Sequence, residues 1–186
     1  MDSNAIVAAV ADALDRAGIP FMLAGSFSSN FYGVSRATRD ADFVIQLDSQ
    51  SIPDFANALG PEFQLDPQMS FESVTGTFRY VLSHPASQFK VELFLLSSDP
   101  HDQIRFSRRK PVTLAGRQIM LPTPEDIVVT KLRWAHGGGR RKDIEDIENV
   151  LELQKDGLNV TYIRNWCDQH GTRDIFEKLW AATGSI

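Results

Sequence analysis

The chain has 186 residues, 42% of them apolar and 23% charged, with a formal net charge of −5. This is enough apolar side chain for one domain, or one core with a small appendage, and it excludes a disordered or fibrous protein. No apolar run approaches the roughly 20 residues of a membrane span, so no membrane partner is expected. The single cysteine, Cys167, excludes an internal disulfide and a Cys-rich zinc site. The acidic start Met1-Asp-Ser-Asn-Ala lacks the basic opening of a secretory signal, and a cytoplasmic location is expected.

Residues 4–17 are Ala-rich and amphipathic, and predict a helix stopped by Gly18 and Pro20. Phe21–Ala24 reads as a short buried strand. A helix over Ser26–Tyr32 follows, with Ser26 as its N-cap and Gly33 as its stop. Asp42–Leu47 is the next strand, and Ile52–Leu59 a helix with Pro53 in its first turn. The middle of the chain is strand-rich: an edge strand over Glu62–Leu65, then Thr77–Ser83 and Phe89–Leu96 joined by a hairpin loop. Pro100–Ser107 reads as helical. A second hairpin is expected around Leu114-Ala-Gly-Arg117. Beyond residue 121 the pattern is helical: Thr123 as cap with Pro124 in first position, a break at Gly137–Gly139, then helices over Arg141–Gln154 and near 160–169 and 173–182. The expected organisation is a core over 1–121 and a C-terminal helical segment over 122–186 packed on it.

Charge is unevenly spread. Arg105 to Lys142 contains ten Lys/Arg and two acids, a local +8 that leaves −13 elsewhere. A basic segment facing an acidic site suits a polyanionic substrate such as a nucleoside triphosphate. The acids that stand out are Asp40 and Asp42, two residues apart at the head of the apolar run Phe43-Val-Ile45. In a strand such residues share a face, where two carboxylates can bind Mg²⁺ or Mn²⁺, hard cations that also take phosphate oxygens. Thirteen residues separate Asp40 from Ser26, and Gly25-Ser26 lies between a strand and a helix. Glycine allows close backbone approach there, and the helix start favours an anion such as phosphate. The four histidines show no metal-ligand spacing, and no Gly-x-x-x-x-Gly-Lys-Ser/Thr loop or Gly-x-Ser-x-Gly elbow is present.

Apolar-Gly-Ser, about a dozen residues, then Asp-x-Asp opening an apolar strand resembles the polymerase-β-type nucleotidyltransferase superfamily. Pro122-Thr-Pro-Glu-Asp126, Lys131-Leu-Arg133 and Arg140-Arg-Lys-Asp143-Ile-Glu-Asp146 are similar to the C-terminal part of nucleotidyltransferase-like proteins related to AbiE-type toxins. The resemblance covers roughly residues 20–150. It implies an α/β nucleotidyltransferase fold, a small mixed sheet flanked by helices. It also implies a third carboxylate on a later strand, which Glu92 offers in Lys90-Val-Glu-Leu-Phe-Leu-Leu96, where many relatives carry Asp. A charge alternating with Val91 and Leu93 is costly on a central strand unless paired or metal-bound.

The resemblance further suggests that Lys131 faces the triphosphate. Arg140 and Arg141, in one patch with Lys142, are candidates to hold phosphates or an RNA backbone, with Asp143 and Asp146 orienting Lys131 or Arg133. Lys131 itself reads as a helix-surface residue whose replacement leaves folding unaltered. The expected activity is metal-dependent transfer of a nucleoside monophosphate from an NTP to an acceptor hydroxyl on a tRNA, a protein or a small molecule. Asp40, Asp42 and Glu92 would be its catalytic and metal-binding residues, with Gly25 and Ser26 on phosphate. The rivals are a catalytically silent binding protein or toxin–antitoxin component of the same fold, and a metal-dependent phosphotransferase or hydrolase using the same acids.

Overall fold

The computed structural model describes residues 2–49, 51–114, 116–138 and 141–183. Helix α1 (Ser3–Arg16) begins at Asp2, whose carboxylate accepts the Ala5 N–H at 2.8 Å. Strand β1 (Phe21–Leu23), helix α2 (Gly25–Tyr32), strand β2 (Asp40–Ile45) and helix α3 (Ile52–Leu59) follow. Next come the short strands β3 (Gln64–Leu65) and β4 (Ser70–Glu72), then β5 (Thr77–Ser83) and β6 (Lys90–Leu95). Helix α4 (Pro100–Arg108) leads to β7 (Lys110–Leu114) and β8 (Arg117–Leu121), whose connection includes Ala115, outside the described residues. Four helices complete the chain: α5 (Pro124–Gly138), α6 (Arg141–Gln154), α7 (Val160–His170) and α8 (Arg173–Ala182).

Strands β1–β6 form a six-stranded mixed sheet in the order β1-β2-β6-β5-β3, with β4 also on β5. Only β2 and β6 run parallel; the other described pairs are antiparallel. The parallel pairing sets Asp42 opposite Glu92 and Asp40 opposite Lys90. The expected start of β2 at residue 42 is therefore two residues late, because pairing with Lys90 draws Asp40 into the ladder. Strand β4 was not foreseen. It is three residues long with Phe71 between Ser70 and Glu72, too short to display alternation.

Period two decides what each face does. Ala41, Phe43, Ile45, Val91 and Leu93 turn into the main core with Ile6, Val10 and Leu14 of α1 and Ile52 and Phe55 of α3. Such fully buried apolar side chains each contribute roughly 1.5–3 kcal/mol. Asp40, Asp42 and Glu92 fall on the opposite face by alternation. A second core joins Ile127, Val128 and Leu132 of α5 to Ile147 and Val150 of α6, Ile163 and Trp166 of α7 and Phe176 of α8, and Tyr32 packs against both cores. The division after residue 121 is a proposal that this separation of cores supports.

A polar knot fastens the helical segment to α4. Asp126 is fully buried; its carboxylate accepts from Tyr162, from Thr123 at 2.7 Å and from Arg108 at 3.1 Å, and lies 3.3 Å from His101 Nε2. Burial alone would raise its pKa, but the close approach of His101 and the bonds from Tyr162 and Thr123 prevail and lower it to about 2. Behind it, His101 and His170 pack on Trp166. Burial, helped by the charges of Arg133 and His101 and opposed by Asp99, lowers His170 to about 4. Burial also lowers His101, against the pull of Asp126.

Between pH 6.5 and 4 these two histidines in the unfolded chain take up protons that the folded protein refuses, so their contribution to stability falls as pH falls. Allowing for its partial exposure, His170 should account for about 1–2 kcal/mol of that loss. Urea midpoints of the wild type and His170→Gln at pH 7 and 4.5 test this: relative to its own value at pH 7, the variant should be about 1–2 kcal/mol better off at pH 4.5 than the wild type.

Candidate active site

On the acidic face of the sheet lies a cavity of about 260 Å³. Gly25 and Ser26 of α2, Asp40 and Asp42 of β2, Glu92 of β6, Arg79 of β5 and Lys131, Lys142 and Asp143 of α5–α6 all border it. Thus Asp40, Asp42 and Glu92 reach one cavity beside the Gly-Ser turn, as period two on paired strands requires.

Each acid has a different setting. Thr38 Oγ1 donates to Asp40 Oδ1 at 2.8 Å and fixes its rotamer. Asp42 is raised to about 7, first by burial and then by the charges of Glu92 and Asp40, with Lys131 and Lys142 pulling the other way. Glu92 is held by Arg79, whose Nη1 lies 3.2 and 3.0 Å from its two oxygens while Nε donates to Ser70 Oγ at 3.0 Å. Glu92 therefore has a cationic partner already, and among the described residues no three His, Cys, Asp or Glu side chains stand together as a ready-made metal cage.

Gly25 has φ +57°, and a Cβ built there would lie 1.7 Å from Asp42 Oδ2. Only glycine lets α2 begin this close to the carboxylate. Gly25→Ala should therefore cost at least about 1–2 kcal/mol of stability and displace Asp42 from the cavity. Thermal unfolding with and without Mg²⁺ checks both effects, since a displaced Asp42 loses the metal-dependent increment.

Ser26 is not the helix cap expected from sequence. Ala24 occupies that position, and the Ser26 hydroxyl instead accepts from Arg36 Nη2 at 3.0 Å. Lys131 borders the cavity but is buried, with Nζ 3.1 Å from Asp143 Oδ1 and 2.8 Å from Asp146 Oδ2; it is no surface residue. Arg133 pairs with Asp99 instead. Arg141 does not border the cavity: its side chain is 92% exposed and bonds Glu145 one turn along α6. Arg140 lies outside the described residues.

Lys142, a member of the basic patch with no separate signal in the sequence, also borders the cavity, exposed and, among the described residues, without an ion pair. Arg79 and Arg36 were missed as well. The only signal for Arg79 was its period-two relation to Thr77 across a loop from Glu92; Arg36 is close enough in sequence to pair with Asp40 or Asp42, and nothing local marked Asp146 as its partner.

The basic stretch is largely neutralised within the fold. Arg105 pairs with Asp102, Arg108 with Asp126 and Glu125, Arg117 with Asp12 and Asp15, and Arg133 with Asp99. Among the described residues it does not form one free polycationic surface.

The cavity offers a divalent cation only hard oxygen donors; no His or Cys borders it among the described residues. Mg²⁺ is commonly held by one or two carboxylates with water and substrate phosphates completing its shell, and Asp40 with Asp42 fits that set.

A mixed sheet with paired aspartates beside a glycine-started helix, closed on one side by a helical segment, is a nucleotidyltransferase fold. Solved structures share it. The antigenic nucleotidyltransferase-like protein from Paracoccidioides brasiliensis is 18% identical, matching 97% of this chain and 92% of that one with a TM-score of 0.60. ANT(2'')-Ia, solved in complex with adenylyl-2''-tobramycin, is 12% identical, matching 91% of this chain and 97% of that one with a TM-score of 0.62. A sequence comparison with curated proteins gives no match. The family described as nucleotidyl transferase AbiEii toxin, type IV toxin–antitoxin system, matches residues 9–183, and the chain belongs to it. Among the described residues no helix is long and apolar enough to cross a membrane.

Proposed function

We propose that the protein transfers a nucleoside monophosphate from an NTP to an acceptor hydroxyl, and that it does so as the toxin component its family description names. The observation that carries this reading is the meeting of Asp40, Asp42 and Glu92 with the Gly25-Ser26 turn in one cavity. In the reaction the acceptor oxygen bonds the α-phosphorus, the bond from that phosphorus to the β-phosphate bridging oxygen breaks, and pyrophosphate leaves. Asp40 and Asp42 would hold Mg²⁺ or Mn²⁺, which when bound supplies Lewis-acid stabilisation of phosphoryl oxygens.

The start of α2 at Gly25 and Ser26 presents N–H groups and the positive end of the helix to phosphate. Lys131 and Lys142 offer ammonium donors from the opposite wall, and Arg140 joins them as a proposal from its place in the sequence. Arg141, turned to solvent, is left for the acceptor or a partner. Glu92 is the candidate base for the acceptor hydroxyl: Arg79 keeps it oriented, and one of its oxygens must leave Arg79 to take the proton.

That same clamp favours a second reading, a nucleotide-binding protein without turnover, because both Glu92 oxygens are already engaged by Arg79 and neither is free to take a proton while the contact holds. The test is incubation with each labelled NTP, Mg²⁺ or Mn²⁺ and a cell extract, followed by identification of the labelled species. Transfer to a macromolecule or metabolite, lost in Asp42→Asn, supports the first reading. NTP binding with no labelled acceptor from any nucleotide supports the second.

A further inference from the structure

Arg36 has no part in the reaction drawn above, yet it is among the most firmly held side chains near the cavity. It lies between α2 and β2, and the Asn30 amide grips its backbone: Nδ2 donates to Arg36 O at 2.7 Å and Oδ1 accepts the Arg36 N–H at 3.2 Å. Its guanidinium donates from Nε to Asp146 Oδ1 and from Nη2 to Asp146 Oδ2, both at 2.8 Å, and from Nη2 to Ser26 Oγ at 3.0 Å. Asp146 Oδ2 in turn lies 2.8 Å from Lys131 Nζ, whose other carboxylate contact is Asp143. One planar fork thus ties the Gly-Ser turn to α6 and, through Asp146, to α5.

The donors left over by these bonds are informative. Ser28 and Ser29 spend their hydroxyl protons on Gly25 O at 2.9 and 3.0 Å. Ser26 accepts from Arg36, and among the described residues its own proton meets no acceptor. A hydroxyl whose lone pair is occupied by a cation is turned to donate elsewhere. Lys131 has three N–H donors and spends them on two carboxylates, leaving one. Both residues border the cavity. Arg36 and Asp146 thereby hold two donors from separate segments of the chain facing one space.

We propose that Arg36 is a positioning residue for the triphosphate, joining Ser26 and Lys131 through Asp146 into one phosphate-facing array. This rests on reading the cavity as a nucleotide site. The alternative is a staple that only holds α6 against the core.

Calorimetric titration of each NTP with Mg²⁺ into the wild type, Arg36→Met, Ser26→Ala and the double variant separates the two, with urea unfolding measured alongside. Arg36→Met should weaken binding about tenfold, and Ser26→Ala by a similar factor. The double variant should bind no more than about twofold weaker than either single one, because both changes break the same array. Should Arg36→Met fail to fold, Arg36→Lys serves: it keeps the charge but loses the fork, and should bind about threefold weaker or worse.

Parent-like affinity in the Arg36 variant, with only a lowered unfolding midpoint, overturns the array and leaves the nucleotide site standing. Losses that multiply in the double variant also overturn it. A wild type that binds no NTP overturns both the site and the array.

Discussion

Asp42→Asn is expected to lower nucleotidyl transfer by on the order of 10²–10³-fold or more while making the metal-free protein more stable at pH 8. The two effects have one cause. In the metal-free fold the Asp42 carboxyl is raised to about 7 by burial and by Glu92 and Asp40, against an ordinary value of 3.8. Between those values the folded protein holds a proton on Asp42 that the unfolded chain has released, so this carboxyl's contribution to stability falls as pH rises through the window. Above pH 7 the ionised carboxylate should cost roughly 2–4 kcal/mol. Asparagine is nearly isosteric and uncharged, and removes that cost. A divalent cation should offset the same repulsion in the wild type and not in the variant. Melting curves at pH 5 and pH 8, with and without Mg²⁺, measure both parts. A variant that melts like the wild type under all four conditions would show that Asp42 carries neither the strain nor the metal.

The second large effect separates two lysines that look alike in sequence. Lys131→Ala should destabilise the fold by about 2 kcal/mol or more, because it removes the ammonium shared by Asp143 and Asp146, both buried, although Arg36 still holds Asp146. This reverses the expectation from sequence that the residue could be removed without structural consequence. Weaker NTP binding in that variant would therefore say little about contact with phosphate. Lys142 is the informative position: it is exposed, borders the same cavity and has no ion pair among the described residues. Lys142→Ala should leave the unfolding midpoint within about 0.5 kcal/mol of the parent and weaken NTP binding about tenfold at low salt, less at high salt, where screening already removes long-range attraction. Equal affinity at both ionic strengths would remove Lys142 from the phosphate site. Arg141→Ala, remote from the cavity wall, is the matched control.

Why one lysine of the basic stretch is a structural ion and another a free cation is a matter of partners. Arg36 and Asp146 are 110 residues apart, Arg117 and Asp15 102 apart, and Arg133 and Asp99 34 apart. Hydrophobic periodicity and turn residues report on neighbours within a few positions, so no local reading shows that much of this basic stretch has already found acids elsewhere. The same limit hid β4, the Arg79–Glu92 clamp and the true role of the Ser26 hydroxyl, which accepts from Arg36 instead of capping its helix.

By itself the sequence determined the helices and most strands, because their signals are local: apolar spacing, Pro53 and Pro124 in first turns, glycines at stops. It also determined the pair Asp40 and Asp42 and their common face, since alternation along a strand needs no tertiary information. Only the tertiary structure decided that Glu92 stands opposite Asp42, because a parallel register is set by how two distant strands pack. It decided, too, that Gly25 must be glycine, since the atom that forbids a Cβ there is the Asp42 carboxylate oxygen, brought up by β2 and invisible from the turn itself. And it decided which charges remain for a ligand, because a charge is free only after every nearby opposite charge has been counted, and those neighbours are assembled by the fold.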